Sequence, residues 1–590
     1  ERHPWGESYP ATQQGLDQVL ADIDVFEATG DAPRGTHVAP GADRYQINYS
    51  DITVNLYNMG SQHVLDVRFP MISESDTHHD MGSQAYWTNH PECVTRTWIE
   101  EIANPPVEGV QRWYHIEFDL TSLLDSDPIP YLHSPFGFHP ASVAKPGYLD
   151  NGYVDAANIG VKWTREGVYA FWFIVQSDLE QPAYDFTLYD QQWGDIPTDM
   201  CILANIAPQG GRIDEGRCLP GSWLPVDEAK YTAFVTATVE RYDGDGIDDM
   251  PDLVNPIKYW QVGNEPNDQR QSDFADLQRI TYQAIKQACP ECTVLIGGVP
   301  GFPAGYAASF DAEYAPILAE LGGQYVDVFD FHWYGTASGE YRLRDTASGQ
   351  DVLSYILATL SSNGFPADLP IWITEMGSYS GDPERSPFQT ERQQAGDYFK
   401  RFIYPLSRGV EKIFPAFGLM EGFKHDNGYF DHTGLIYDGS PDVDDLGLGV
   451  KKLAYYTYKK MTEKLEGADW STLTTLHNGS EDDHLYLFRI EKDGRPINIA
   501  WWDYFDEPSY TVGDTRAITL TDLTSTAVTV TTVVPFADTG QDVTDYGTAF
   551  AATTYSVSEG VVTILLGENP VLVEEGDGVL HFVHLPSILK

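Results

Sequence analysis

The stretch Lys258-Tyr259-Trp260-Gln261-Val262-Gly263-Asn264-Glu265-Pro266-Asn267 reads as a short apolar strand cut off at Asn264-Glu265, with Pro266 blocking its continuation. A strand of this kind delivers an amide and a carboxylate to the mouth of a barrel rather than into its core. A second stretch has the same form. Pro370-Ile371-Trp372-Ile373-Thr374-Glu375-Met376-Gly377 is an apolar run that ends in a glutamate. Two strand-terminal carboxylates at one end of a parallel sheet are the feature from which the rest of the chain is read.

Working outward from these two runs, residues 131–465 show short apolar strands alternating with helical stretches. Strands are predicted at 136–139, 160–165, 200–205, 259–264, 293–297, 328–332, 371–374 and 412–417, and helices at 228–242, 274–288 and 390–407 among others. Eight strands with intervening helices predict an α/β chain built on a (β/α)8 TIM barrel with enlarged loops. A doubly wound open sheet is disfavoured, because polar residues end many different strands rather than those near one switch point. Residues 1–130 instead alternate with a period of two at 52–57, 64–69 and 113–118, which predicts a β-rich accessory domain carrying one short helix near 16–25. His78-His79-Asp80 in this part has no further ligands at useful spacing and reads as a solvated loop. Residues 466–590 turn to Thr/Val-rich alternation, as in Ala527-Val528-Thr529-Val530-Thr531, and predict a C-terminal β-sandwich.

The chain of 590 residues carries 88 acidic and 36 basic side chains, a formal net charge of -52. Such a field repels nucleic acid and anionic membranes and keeps the chain soluble. Life in high salt, where screening weakens self-repulsion, is one reading of it; an ordinary acidic secreted protein is the other. No apolar run approaches the roughly 20 residues of a membrane span. The sequence begins at Glu1, which leads to the expectation of a removed leader and a secreted, extracellular protein. Five cysteines do not make a disulfide framework. Cys289-Pro290-Glu291-Cys292 is a candidate local disulfide, and Cys201 with Cys218 a second candidate pair, with Cys93 left over.

Cleaving a glycosidic bond takes one carboxylic acid to protonate the leaving oxygen and one carboxylate facing the anomeric carbon, about 5 Å apart where configuration is retained. Glu265 and Glu375, on the fourth and seventh strands, are close enough across a barrel for this. Asn264-Glu265-Pro266 and Ile373-Thr374-Glu375 resemble clan A glycoside hydrolases. The resemblance implies Glu265 as acid/base and Glu375 as nucleophile, with carbohydrate as the partner and no cofactor for catalysis. It further implies that Arg165 pairs with the nucleophile, that Asn264 bonds the sugar 2-hydroxyl, and that His332 and Tyr334 orient the two carboxylates. Trp260 to Asn267 resembles family 39, the β-xylosidases and relatives, whereas Thr374-Glu375-Met376-Gly377 resembles family 5. Strand three ends in Ala204-Asn205-Ile206 without the histidine often found there in family 5, and strand eight offers Phe417 in place of the usual tryptophan. The implied activity is retaining hydrolysis of β-glycosidic bonds, of β-xylosidase, β-glucosidase or endo-β-glucanase type. A carbohydrate-binding protein that has lost catalysis is the alternative.

Trp163, Trp172, Trp193, Trp333 and Phe417 are candidates to stack on sugar faces, Trp163 fitting the core better. Glu421, His425 and Asp426 follow strand eight and are candidates to bind hydroxyls. Asp243-Gly244-Asp245-Gly246-Ile247-Asp248-Asp249 stands apart. Alternating aspartates on a glycine turn resemble calcium loops, since Ca²⁺ takes several oxygen ligands from a flexible turn. Asp243, Asp245, Asp248 and Asp249 are therefore candidate ligands for a structural Ca²⁺.

Overall fold

The apolar runs form eight strands that pair in parallel. They are β1 Gly137–Phe138, β2 Trp163–Arg165, β3 Cys201–Ala207, β4 Tyr259–Val262, β5 Thr293–Leu295, β6 Phe329–Trp333, β7 Ile371–Met376 and β8 Val410–Pro415. β1 to β5 lie side by side in one sheet and β6 to β8 in another. Single parallel bridges, Leu295↔Val328 and Val299↔Phe331, join β5 to β6, and Phe136↔Ile413 with His139↔Ala416 join β8 to β1. The computed structural model describes residues 132–143, 148, 151–208, 217–266, 271–440, 445–479 and 483–576, together with the six strands of a leading sheet.

Each predicted strand of residues 131–465 is present within a few residues of its expected span. The helices Glu228–Tyr242, Gln271–Ala288 and Glu391–Leu406 match theirs equally closely. Their starts are fixed by side chains: Asp227 accepts the N–H of Lys230 at 3.0 Å, and Thr390 with Gln393 forms a reciprocal capping box.

Alternation along the strands sorts side chains into layers on the inner face of the sheets. At the bottom, Trp163 of β2 meets Tyr259 of β4 and Trp372 of β7 edge-on, with ring centroids 4.8 and 5.3 Å away, and Phe414 of β8 closes the group. Lys412 lies 4.4 Å from the Trp163 ring centroid and donates to the Ser134 carbonyl. Trp163 is thus core. Above them come Gln261, Asp330 and Thr374, then Arg165 and His332, with Glu375 directly after Thr374 where the β7–β8 register shifts between Ile373 and Met376.

The chain divides into two compact units, Glu1–Pro130 and Tyr131–Lys590. The first contains an antiparallel sheet in the order His37–Val38, Arg44–Tyr49, Ile52–Met59, Gln62–Met71, Arg112–Asp119, Val94–Glu101. The alternating runs at 52–57, 64–69 and 113–118 fall inside three of these strands. The helix expected at 16–25, His78-His79-Asp80 and Cys93 lie outside the described residues.

In the second unit the tail forms an antiparallel sheet in the order Asp469–Asn478, Leu485–Lys492, Arg495–Trp502, Val571–Glu575, Ala527–Thr532, Ala552–Ser556, and a second pair, Arg516–Leu520 with Val562–Leu566. Strand Leu485–Lys492 shows why the tail belongs to this unit. Leu485 and Leu487 pack with Ile518, Ile564 and Leu566 of the small pair. Tyr486 and Phe488, on the other face, join the large core that runs through the parallel strands and their helices. Polar bonds tie the same seam: the Tyr341 hydroxyl and Lys400 Nζ donate to Asp503 at 2.6 and 2.9 Å, and Trp501 Nε1 donates to the Tyr341 hydroxyl at 2.8 Å. Cys289 and Cys292 form a disulfide, whereas Cys201 and Cys218 are not bonded to each other.

Candidate active site

The site lies at the carboxyl ends of the parallel strands. A cleft of about 950 Å³ opens there, lined by His139, Tyr169, Asn264, Glu265, Tyr334, Glu375 and Phe417 among others. Two chain features bring the carboxylates together. After β4 the backbone turns out of the sheet: Gly263 has φ +63° and Glu265 φ +47°, the left-handed region a glutamate seldom adopts. The N–H of Glu265 donates to the Gly297 carbonyl at 2.8 Å, which holds that turn against its intrinsic cost. On the far side, the β6–β7 register shifts between Phe331 and His332, setting His332 opposite Glu375. A bulge of this kind re-aims side chains at a strand end.

An oxygen of Glu265, an oxygen of Glu375 and a ring nitrogen of His332 all lie within 4.8 Å of one another. His332 Nδ1 is 2.6 Å from Glu265 Oε1 and 3.3 Å from Glu375 Oε2, so it touches both. Glu375 is 1% exposed. Its Oε1 accepts Arg165 Nη1 at 2.7 Å and its Oε2 accepts the Tyr334 hydroxyl. Arg165, fully buried, also donates from Nε to Gln261 at 2.7 Å and from Nη2 to Asn264 Oδ1 at 2.6 Å. That last bond fixes the Asn264 amide with its oxygen on Arg165, so its NH₂ is the end that can meet a ligand.

The two carboxylates stand in different surroundings. Glu265 has a side chain 30% exposed, and burial against the wall pushes its pKa up to about 7, opposed by the charges of Arg165 and Lys424. Burial lowers His332 to about 4, partly offset by Glu375, so the ring is neutral at ordinary pH. Burial also lowers His139 well below the usual histidine range, reinforced by Arg165. With its Nδ1 donating to the Arg165 carbonyl at 2.7 Å, neutral His139 presents the Nε2 lone pair 3.6 Å from Glu375 Oε1. Nε2 has no hydrogen-bond partner among the described residues.

Of the residues singled out in the sequence, Arg165, Asn264, Glu265, His332, Tyr334 and Glu375 converge on one point. Phe417 lines the cleft beside them, 5.3 Å from the His139 ring centroid. Glu421 lines the cleft wall, where it is bonded to buried Lys452; burial raises its pKa to about 8 against the pull of that lysine. His425 is on the rim, its Nδ1 3.7 Å from Asp438, while Asp426 is exposed and is not among the lining residues.

Trp333 is a correction. On β6 it alternates away from His332 and Tyr334, is 1% exposed, and donates its indole N–H to the Glu340 carbonyl at 2.7 Å. It packs behind the site against Tyr306 and presents no face to a sugar. Trp172 and Trp193 are likewise buried, among Tyr231, Phe234 and Tyr242.

The sequence reading also left out the layer beneath the carboxylates. Gln261 Nε2 donates to Asp330, Thr374 Oγ1 donates to Asp330 at 2.6 Å, and Asn205 Nδ2 donates to Gln261 Oε1 at 2.6 Å. The available signal was a polar residue one to four positions before a strand-end functional residue: Thr374 before Glu375, Asp330 before His332, and Gln261 before Asn264 and Glu265. In the aspartate loop, oxygens of Asp243, Asp245 and Asp249 come within 4.8 Å of one another, and Asp248, at φ +53°, is not among them.

No protein-family model and no curated protein matches the chain. Solved structures do. A family 39 glycoside hydrolase from the gut symbiont Bacteroides cellulosilyticus WH2 aligns with 89% of this chain and 92% of its own, at 14% identity and a TM-score of 0.52. The chain has a glycoside hydrolase fold. A glucosidase from Croceicoccus marinus shares this glycoside hydrolase fold at 15% identity over 76% of this chain and 96% of its own, with a TM-score of 0.50. So does BuGH86 in complex with neoagarooctaose, at 13% identity over 76% of each chain and a TM-score of 0.50. In this glycoside hydrolase fold, Glu265 and Glu375 occupy the cleft at the carboxyl ends of the strands.

Proposed function

We propose that the chain is a retaining glycoside hydrolase that cleaves β-glycosidic bonds in oligo- or polysaccharides by double displacement. The observation that carries this reading is the carboxylate pair, with oxygens within 4.8 Å of each other. Retaining pairs stand about 5–5.5 Å apart, whereas inverting pairs leave about 6.5–9.5 Å for a water.

In this reading Glu375 attacks the anomeric carbon while Glu265 protonates the leaving oxygen; Glu265 then deprotonates the water that releases the sugar from Glu375. The bonds from Arg165 and Tyr334 to the two Glu375 oxygens fit a group that works as an anion. A carboxyl raised to about 7 fits one that must hold a proton near neutral pH. His332, neutral and in contact with both, positions them. Asn264 meets the sugar hydroxyl next to the reacting carbon. The two sheets close into a (β/α)8 barrel through the bridges at both seams, with residues 1–130 as an accessory domain and 466–590 as a β-sandwich. The sugar acted on is of the β-xylosidase, β-glucosidase or endo-β-glucanase class, and the protein is secreted.

The test is to hydrolyse a panel of aryl β-glycosides and follow the first-formed sugar by NMR. Retention is expected, with an α-glycosyl azide from Glu375→Ala in azide. An inverted product would overturn the double-displacement reading, and an inert parent enzyme the whole assignment.

A further inference from the structure

Phe302 and Phe423 each keep 49% of their surface exposed, yet both line the cleft. Exposed Phe388 and Phe536 are outside it, so exposure alone says little. What sets the first two apart is a row of rings. Phe302 stacks on Tyr334 at 5.4 Å and 29°, Tyr334 on Phe417 at 6.4 Å and 18°, and Phe417 on Phe423 at 4.3 Å and 8°. Of the inner members Tyr334 is buried and Phe417 half-buried, whereas the outer two are open. The row is anchored at its middle, because the Tyr334 hydroxyl donates to Glu375 Oε2. Reaction at Glu375 therefore takes place beside the centre of the row, with one open phenyl face towards each end. Sugar rings have apolar faces that pack on aromatic rings, and exposed aromatic surface concentrated in a cleft marks a ligand site.

Building on the glycosidase reading, we propose that Phe302 and Phe423 are sugar-binding platforms on opposite sides of the cleaved bond, so that the substrate is a saccharide chain running through the cleft. An enzyme confined to terminal residues binds no further sugar beyond the one it releases. The test uses binding, so it does not depend on turnover. Xylo-, cello- and neoagaro-oligosaccharides of two to six sugars are titrated calorimetrically into Glu265→Gln and into the same chain carrying Phe302→Ala or Phe423→Ala. Affinity should rise with length beyond the disaccharide in one series. Each alanine should weaken the hexasaccharide about tenfold, or ~1.4 kcal/mol, and leave the disaccharide less affected. Affinity that stops rising at two sugars, hexasaccharide binding unchanged by both alanines, or no binding in any series overturns the proposal. Length-dependent binding beside a parent enzyme inert on every glycoside would instead sink the catalytic reading.

A different observation carries a second proposal, at the aspartate loop. Asp243 is fully buried; its Oδ1 accepts the Asp245 N–H at 3.3 Å, and its Oδ2 has no hydrogen-bond partner among the described residues. A buried, unpartnered carboxylate oxygen is costly. Oxygens of Asp245 and Asp249 lie within 4.8 Å of Asp243 and of each other, the spread expected of ligands about 2.3–2.6 Å from one shared ion.

The geometry points to a Ca²⁺ site on Asp243, Asp245 and Asp249. CaCl₂ titrated into the metal-stripped full chain should bind at one site and raise the melting temperature, with MgCl₂ far weaker. Asp245→Ala and Asp249→Ala, changes at partly exposed positions, should abolish both effects. No binding, equal response to Mg²⁺, or binding that survives both substitutions overturns the site.

Discussion

At the residue scale, the two glutamates carry opposite burdens. Replacing either Glu265 or Glu375 with glutamine should cut kcat by at least 10²–10⁴-fold with little change in the melting curve, checked by steady-state kinetics and calorimetry. The pH dependence follows from Glu265. In the proposed role of acid its carboxyl, raised by burial to about 7, must be protonated, so kcat/KM should fall as pH rises through about 7. The same shift has a stability sign. Between the unfolded value near 4.3 and about 7 the folded state holds the extra proton, so stability declines as pH rises across that window and is flat above it. Glu265→Gln should flatten the slope, read from denaturant midpoints at pH 4 to 8. Both glutamates were legible because each ends an apolar run. Trp333 misled because one step along a strand separates site from core, and period alone does not say which face is which.

At the element scale, β4 and β7 carry the layers in sequence, from aromatic base (Tyr259, Trp372) through polar middle (Gln261, Thr374) to the carboxylates at the mouth (Glu265, Glu375). The polar middle supports the mouth through Arg165. Arg165→Ala leaves buried Glu375 without its cation and should cost about 3–5 kcal/mol, measured by urea unfolding, besides lowering kcat. Gly298 makes a sharper test. A Cβ there, at φ +70°, would lie 2.2 Å from His332 Nε2, so Gly298→Ala should displace the ring that touches both carboxylates. We expect kcat to drop more than KM changes, and the basic limb of the pH profile to move. The strands and main helices could be read from the sequence because apolar runs and caps are local. The bridging of the two sheets, the β6–β7 bulge and the Gln261–Asp330–Thr374 layer depend on pairings between segments distant in sequence, which no local pattern encodes.

At the scale of the whole molecule, a net charge of -52 makes self-repulsion a global term. If the acidity is an adaptation to salt, the melting temperature should climb from 0.1 to 2 M NaCl, as the Debye length contracts from about 10 Å towards 3 Å and below. A flat response in thermal scans argues for an ordinary acidic protein.

The seam at Asp503 has a bearing on modularity. Lys400 sits on a helix of the barrel-like part, yet its counter-ion, 2.9 Å away, belongs to the β-rich tail. A chain cut after residue 465 would strand a buried ammonium and bare the apolar faces of Tyr486 and Trp501's partners. The tail is therefore no detachable cassette. Trimming it for expression should destabilise what remains, which a lower melting temperature of the shortened chain would report.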